Sequence, residues 1–280
     1  MTLTAAPRLL LVHAHPDDES LWTGGTIARY AAAGVQVTLV TCTLGEEGEI
    51  IPGSLRGLAA DAADQLGGYR IGELRAACAA LGVSDHRWLG GVGRWRDSGM
   101  AGVGANAHPR AFAGGDLSVQ AAALAEVIAD VRPQVVVTYG PDGGYGHPDH
   151  IRAHDVTMAA CGADVARVFF AVTSRRATEE GVAALASRAG LPFRLPAPDE
   201  LPVTDDEVIT TTIDTADVLS MKVEALAAHS TQVSVWQGPE GAQAYALSNG
   251  IAQPLPPAEY YLLGRGDGAG AESDLFGGLQ

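Results

Sequence analysis

Residues 9–13 read as a strand built on the apolar run 9–12, and residues 20–33 carry apolar side chains at helical spacing until Gly34 stops them. Residues 35–42 repeat the character of the first run. The alternation continues through a helix over 72–81 ended by Gly82, a short strand over 87–89, and a helix over 117–131 closed by Arg132-Pro133. A strand over 135–139, a helix over 150–161 and a strand over 165–172 follow. Short Val- and Leu-rich runs alternating with Ala-rich helices predict βα units on a sheet buried on both faces. The expected fold class is α/β, a Rossmann-like, doubly wound, mostly parallel sheet. Beyond it the pattern changes. Residues 191–202 hold four prolines and read as a connector, 208–213 as a strand, 216–229 as a helix, and 264–280 as a Gly-rich, mobile tail. The chain thus divides into a Rossmann-like domain over residues 1–173 and a smaller C-terminal α+β portion over 174–280.

The chain is 280 residues long, 47% hydrophobic and only 18% charged, which excludes a disordered or coiled-coil protein. Its net charge of -15 gives no field that attracts nucleic acid or an anionic membrane. Cys42, Cys78 and Cys161 are odd in number, widely spaced and without a CxxC pair, so reduced thiols of a cytoplasmic protein are expected. The run at 9–12 is too short for the core of a signal peptide, and no run approaches the roughly 20 residues of a membrane helix. The 35 glycines concentrate at 45–53, 90–115 and 140–146, after strands, where an α/β protein keeps its site.

Two segments combine imidazoles and carboxylates just past a strand: His13-Ala14-His15-Pro16-Asp17-Asp18-Glu19-Ser20 and Tyr145-Gly146-His147-Pro148-Asp149-His150. With strand order 3-2-1-4-5, the strands they follow are neighbours at the switch point, and the segments face each other across one crevice. His15 and Asp18 are three apart at a helix start, as are His147 and His150. Two imidazoles and one carboxylate with an open position make up a catalytic zinc site, and ferrous iron suits the same donors. Hydrolysis also needs a base and an acid. Asp17 is the natural base, and His147 can stabilise an oxyanion or protonate a leaving nitrogen, with Asp149 placed to orient it. Tyr145, between glycines, can bring its hydroxyl to a polarised carbonyl. His13 reads as a supporting residue, and His86, His108, His154 and His229 as structural or surface positions.

The segments HPDDE at 15–19 and HPDH at 147–150 resemble the LmbE/PIG-L-type metal-dependent N-deacetylases. TLGEEGE at 43–49, GGYRIGEL at 67–74, GRWRDSGM at 93–100 and AAHSTQV at 227–233 extend the resemblance to the branch acting on N-acetylglucosaminyl inositol in mycothiol biosynthesis. That resemblance implies His15, Asp18 and His150 as ligands of one Zn2+ (or Fe2+) per subunit, Asp17 as base, and His147 and Tyr145 as transition-state groups oriented with Asp149. It further implies Arg70 and Asp97 as holders of sugar or inositol hydroxyls, with Glu49 in reach and Glu46 and Glu47 facing solvent. The expected partner is a small acetylated amino-sugar inositol. Residues 174–206 match no motif of that branch. The nearest rival is an amidase cleaving bulkier mycothiol S-conjugates, and a catalytically silent sugar- or metal-binding protein is the alternative of another class. The first strand lacks a GxGxxG turn and the chain lacks a GxSxG elbow, which argues against a nucleotide-dependent oxidoreductase and a serine hydrolase.

Overall fold

A computed structural model of the chain describes residues 6–238 and 243–279; residues 1–5 and Gln280, the outer ends of the two expected domains, lie outside the described residues. Its elements are β1 (Arg8–His13), α1 (Asp18–Ala32), β2 (Gln36–Thr41), α2 (Leu66–Leu81), β3 (Asp85–Trp88), α3 (Leu117–Val131), β4 (Val135–Tyr139), α4 (Pro148–Ala160) and β5 (Arg167–Val172). There follow α5 (Arg175–Ala186), β6 (Thr211–Asp214), α6 (Leu219–Ala228), β7 (Ser234–Gln237), β8 (Gln243–Ala246), β9 (Gln253–Pro254) and β10 (Ala258–Arg265).

The main sheet runs β3-β2-β1-β4-β5-β10-β6, with β7-β8-β9 as a second, antiparallel sheet. Strands β3 to β5 are mutually parallel in that order, and β10 runs antiparallel between β5 and β6. The period of two along β1 explains the double winding. Leu9 and Leu11 join Ile27, Leu74 and Ala225 on one face, while Leu10 and Val12 join Leu124, Ile128 and Val156 on the other. Every residue of β4 is buried, so a continuous apolar run rather than an alternating one encodes it. Each such side chain contributes about 1.5–3 kcal/mol on burial.

Helix α2 begins six residues before the expected start at Gly72. A Cβ at Gly67 would stand 2.8 Å from the Glu46 side chain and 2.9 Å from that of Leu44. The glycine lets the helix approach the loop after β2. Helix α5 and strand β10 had no counterpart in the sequence reading. Because β10 and β6 extend the sheet of β1–β5, the chain beyond residue 173 is built onto the first portion through one continuous sheet.

The tail is not loose, contrary to its glycine content. The buried Arg167 guanidinium donates to four of its carbonyls, those of Asp267 (2.5 Å), Ala269 (3.0 Å), Leu275 (3.0 Å) and Gly277 (2.7 Å). Leu275 is wholly buried, and its N–H donates to the Tyr30 hydroxyl at 2.7 Å. Among the described residues Cys42, Cys78 and Cys161 are buried free thiols, and no helix is long and apolar enough to cross a membrane.

Candidate active site

Strands β1 and β4 lie side by side, so the turn from β1 into α1 and the loop from β4 into α4 open at the same sheet edge. The long loop between β3 and α3 brings Asp97 to the same place. His15, Asp17, Asp18, Asp97, His147, Asp149 and His150 are all buried there. Ring centroids of His15 lie 4.6 Å from His147 and 5.3 Å from His150.

Two groups of donor atoms converge within 4.8 Å, His15 with His147 and His150, and His15 with Asp97 and Asp149. Hydrogen bonds decide which of these atoms has a free lone pair. His147 Nδ1 accepts the Asp149 N–H at 3.1 Å, so in neutral His147 the proton sits on Nε2, a donor. His150 Nδ1 faces the Gly143 carbonyl oxygen at 3.1 Å and must donate to it, which leaves Nε2 unprotonated. That Nε2 is buried without a hydrogen-bond partner and stands 3.3 Å from Asp18 Oδ1. His15 faces Asp149 Oδ2 with Nε2 and Asp18 Oδ2 with Nδ1, each at 3.3 Å.

Donor atoms of a tetrahedral ion with ligands at roughly 2.0–2.2 Å are themselves roughly 3.3–3.6 Å apart. Asp18 stands at this spacing from each histidine, through Oδ2 to His15 Nδ1 and through Oδ1 to His150 Nε2, and the orphaned His150 Nε2 supplies the lone pair. Asp97 and Asp149 are committed elsewhere: their oxygens accept the N–H groups of Glu47 (3.2 Å) and Gly99 (2.8 Å), and of Ser98 (2.9 Å) and Ala113 (3.1 Å). Four carboxylates, of Asp17, Asp18, Asp97 and Asp149, are buried there, and among the described residues only Asp17 pairs with an arginine, Arg70. A cation offsets that imbalance.

Electrostatics follow the same layout. Burial alone would lower the pKa of His15, but Asp97, Asp149 and Asp18 outweigh it and hold it well above its usual value. Burial, and then His15 and His150, push His147 down to about 3. Burial raises Asp17 to about 6 against the opposing pull of Arg70. Burial would raise Asp18 too, but His150 and His15 hold it well below the carboxylate range.

Several sequence-derived roles shift. The Asp149 carboxylate faces His15, not His147, because α4 starts at Pro148 and only the Asp149 backbone N–H turns to the imidazole. Arg70 is 2% exposed; its terminal nitrogens donate to Asp17 Oδ2 (2.9 Å), the Pro16 carbonyl and the Gly45 carbonyl (2.8 Å) while its Nε is buried without a partner, so it grips the Asp17 segment. Asp97 lies 3.5 Å from His15 Nε2 and is likewise buried. Glu49 is exposed. Glu46, expected in solvent, is buried with its carboxylate accepting the Asp97 N–H at 3.0 Å, and Glu47 pairs with Arg96 at 2.9 Å. Tyr145 stands half-exposed over the cluster, 5.0 Å from His150 between ring centroids.

Tyr139 escaped the sequence reading. It stacks on His150 at 4.1 Å, its hydroxyl accepts the Ala14 N–H at 2.9 Å, and it lies 3.2 Å from His13 Nδ1. His13 thus stands behind the cluster, with Nε2 2.9 Å from Thr23 Oγ1. Only its place as the last residue of β4 hinted at a role for Tyr139.

Fold and site together define an α/β protein with a buried His/Asp cluster, able to hold a divalent ion, at the switch point of a parallel sheet. The chain belongs to the PIG-L family of GlcNAc-PI de-N-acetylases, whose family pattern matches residues 10–161. It is 70% identical to a 1D-myo-inositol 2-acetamido-2-deoxy-alpha-D-glucopyranoside deacetylase of Actinosynnema mirum, over 100% of this chain and 99% of that protein. Among solved structures it is similar to the N,N'-diacetylchitobiose deacetylase of Pyrococcus horikoshii, with a TM-score of 0.51 at 20% identity over 81% of this chain and 71% of that one. It is also similar to the 4-carboxy-2-hydroxymuconate hydratase GalB of Pseudomonas putida, with a TM-score of 0.56 at 18% identity over 93% and 97%. A hydratase on the same fold means that the fold alone does not set the reaction.

Proposed function

We propose that this protein is a metal-dependent amide hydrolase that removes acetate from 1D-myo-inositol 2-acetamido-2-deoxy-α-D-glucopyranoside, the reaction named for its 70% identical relative. The observation that carries the hydrolytic reading is the opposite proton placement on two neighbouring histidines: His150 Nε2 offers a lone pair and His147 Nε2 offers a proton. His15, Asp18 and His150 are the ligands of one ion, for which zinc and ferrous iron have equally suitable donors. When bound, such an ion polarises an amide carbonyl and lowers the pKa of water.

The chain's own residues supply the rest. Asp17 takes the proton of the attacking water and passes it to the leaving nitrogen, so that free amine and acetate result. His147 donates from Nε2 to the oxygen that gains charge, and the Tyr145 hydroxyl approaches that oxygen from the mouth of the site. Arg70 holds Asp17, while Asp97 and Asp149 orient His15 through Nε2. Glu49, exposed near the loop after β2, is left to meet sugar hydroxyls. A cytoplasmic setting accords with three unbridged thiols.

One observation favours a second reading. A cavity of about 370 Å³ adjoins the site at Asp18, Trp22 and Tyr145 and is walled by Leu21, Leu201 and Tyr260, room for the bulkier acyl group of a thiol-conjugate amide. The test is acetate release from the inositol-bearing sugar by metal-loaded protein, with N-acetylglucosamine, a mycothiol S-conjugate and a chelated sample in parallel. Chelator-sensitive turnover fastest on the inositol sugar supports the deacetylase. Preference for the conjugate gives the amidase, and no turnover of any amide by metal-containing protein removes the enzymatic reading.

A further inference from the structure

Asp17 is the one non-glycine residue of the cluster with a positive φ, 120°, a conformation that an L side chain rarely adopts. It persists only if its surroundings hold it. Arg70 grips one side, through the Pro16 carbonyl and Asp17 Oδ2. On the other side the Asp17 N–H donates to Glu19 Oε2 at 3.0 Å. Asp17 Oδ1 accepts no hydrogen bond from a described residue.

Glu19 is wholly buried, and its Oε1 accepts from Ser20 Oγ at 2.5 Å and from His229 Nε2 at 2.6 Å. His229 is wholly buried too, just past α6 and far outside the region matched by the family pattern. Its turn is fastened independently. Glu73 of α2 accepts from the Thr231 N–H (2.8 Å), Thr231 Oγ1 (2.6 Å) and Ser230 Oγ (3.1 Å), and the Ile51 N–H donates to the Thr231 carbonyl at 2.9 Å. Neither Glu19 nor His229 lies among the proposed ligands.

We propose that Glu19 and His229 are positioning residues for hydrolysis, a clamp reaching from the C-terminal portion to the base. His229 fixes Glu19, Glu19 fixes the Asp17 amide in its strained conformation, and the free Oδ1 is thereby aimed at the attacking water. This rests on the reading of Asp17 as base. A misplacement of about 1 Å of a catalytic group lowers turnover by about 100-fold, while binding of substrate and ion is left to other residues.

The experiment compares wild type, His229→Leu and His229→Gln, each metal-loaded, for kcat, KM, bound metal per chain and thermal midpoint. His229→Leu should lower kcat about 10- to 100-fold with KM and metal content unchanged. His229→Gln, which returns an N–H donor toward Glu19, should recover most of that loss. Ser20→Ala removes a smaller part of the clamp and serves if His229→Leu does not fold; a several-fold lower kcat at constant KM is expected. Full turnover by His229→Leu or Ser20→Ala overturns the clamp, as does a His229→Gln variant no better than His229→Leu or a loss that follows metal content. An inactive wild type instead refutes the deacetylase reading itself.

Discussion

Replacing His147 and His150 in turn by asparagine separates two residues that position alone would make equivalent ligands. Asparagine reproduces the Nδ1 side of each ring and deletes only Nε2. In His150→Asn the amide N–H can still donate to the Gly143 carbonyl, and in His147→Asn the amide oxygen can still accept the Asp149 N–H that caps α4. The consequences should diverge. Loss of His150 Nε2 removes the orphaned lone pair beside Asp18, so one of three protein ligands disappears. Changing a residue that merely supports a ligand costs about 10- to 100-fold in affinity, so loss of a ligand itself should exceed about 100-fold. Loss of His147 Nε2–H removes one donor to the developing oxyanion, worth about 100- to 1,000-fold in kcat, or about 2.7–4 kcal/mol. The assays are metal affinity by competition with a chelator and steady-state acetate release. His147→Asn should bind metal within about threefold of wild type and turn over about 100-fold slower or worse. Metal loss in His147→Asn, or full metal retention in His150→Asn, would refute the tautomer argument.

Asp17→Asn should keep the metal and lose about 100- to 10,000-fold in kcat, read by single-turnover acetate release; wild-type rates would remove Asp17 as base. Arg167→Met frees four carbonyls at about 1 kcal/mol each, a loss of about 4 kcal/mol or roughly 8–16 °C in thermal midpoint, with Arg167→Lys intermediate. A shift under about 2 °C would show the tail held by other contacts. Gly144→Ala places a Cβ 2.6 Å from the Trp22 ring at φ +79°, so it should displace the Tyr145 loop and lower kcat more than stability, as kinetics and calorimetry together would reveal. In the Glu19–His229 pair, Glu19 is held near 2, where His229 outweighs burial, and His229 is raised, where Glu19 outweighs burial. The depressed carboxylate stabilises above its ordinary 4.5 and loses this as pH falls toward 2, whereas the raised imidazole stabilises below its ordinary 6.5 and loses it as pH rises beyond. The stability difference between metal-free wild type and His229→Gln should therefore peak between those two values, and a flat difference across that range would contradict the pairing.

The parallel core was legible because local pattern encodes it. Strands β1 and β4 are built on the apolar runs 9–12 and 135–137, α3 and β4 begin and end where periodicity and Arg132-Pro133 place them, and the strand order that joins the two histidine segments is the one observed. Spacing within one turn likewise brought His15 near Asp18. What spacing does not encode is which distant group a side chain meets. Asp149 is two residues from His147 yet its carboxylate meets His15, more than a hundred residues earlier, because the start of α4 turns it across the crevice. Arg70 sits in the first turns of α2, and only the close packing of that helix, at Gly67, on the loop at Gly45 buries it under Asp17. Strand β10 was missed for a related reason. Its place between β5 and β6 is set by antiparallel pairing with strands about 90 and 45 residues earlier, whose register no local signal carries.

These long-range partners bear on why the family pattern ends at residue 161 while the chain does not. Helix α1 carries Asp18 in its first turn and contains the Gly24-Gly25 pair, a weak point for a helix. The pair admits close neighbours from the C-terminal portion: a Cβ at Gly25 would stand 2.6 Å from Thr215, and Glu259 accepts the Gly25 and Thr26 N–H groups at 2.8 Å each. Lys222, the chain's one lysine, joins Glu259 at 2.6 Å and donates to the Leu21 carbonyl at 3.1 Å. The Tyr261 hydroxyl donates to Thr26 Oγ1 at 2.6 Å, and His229 reaches Glu19 at the same distance. The helix that starts at the proposed ligand Asp18 is therefore fastened at Glu19, Leu21, Gly25 and Thr26 by residues after 200. The HPDDE segment carries the proposed ligand and base, but the contacts that fix the helix behind them come from the part of the chain that the family pattern does not reach.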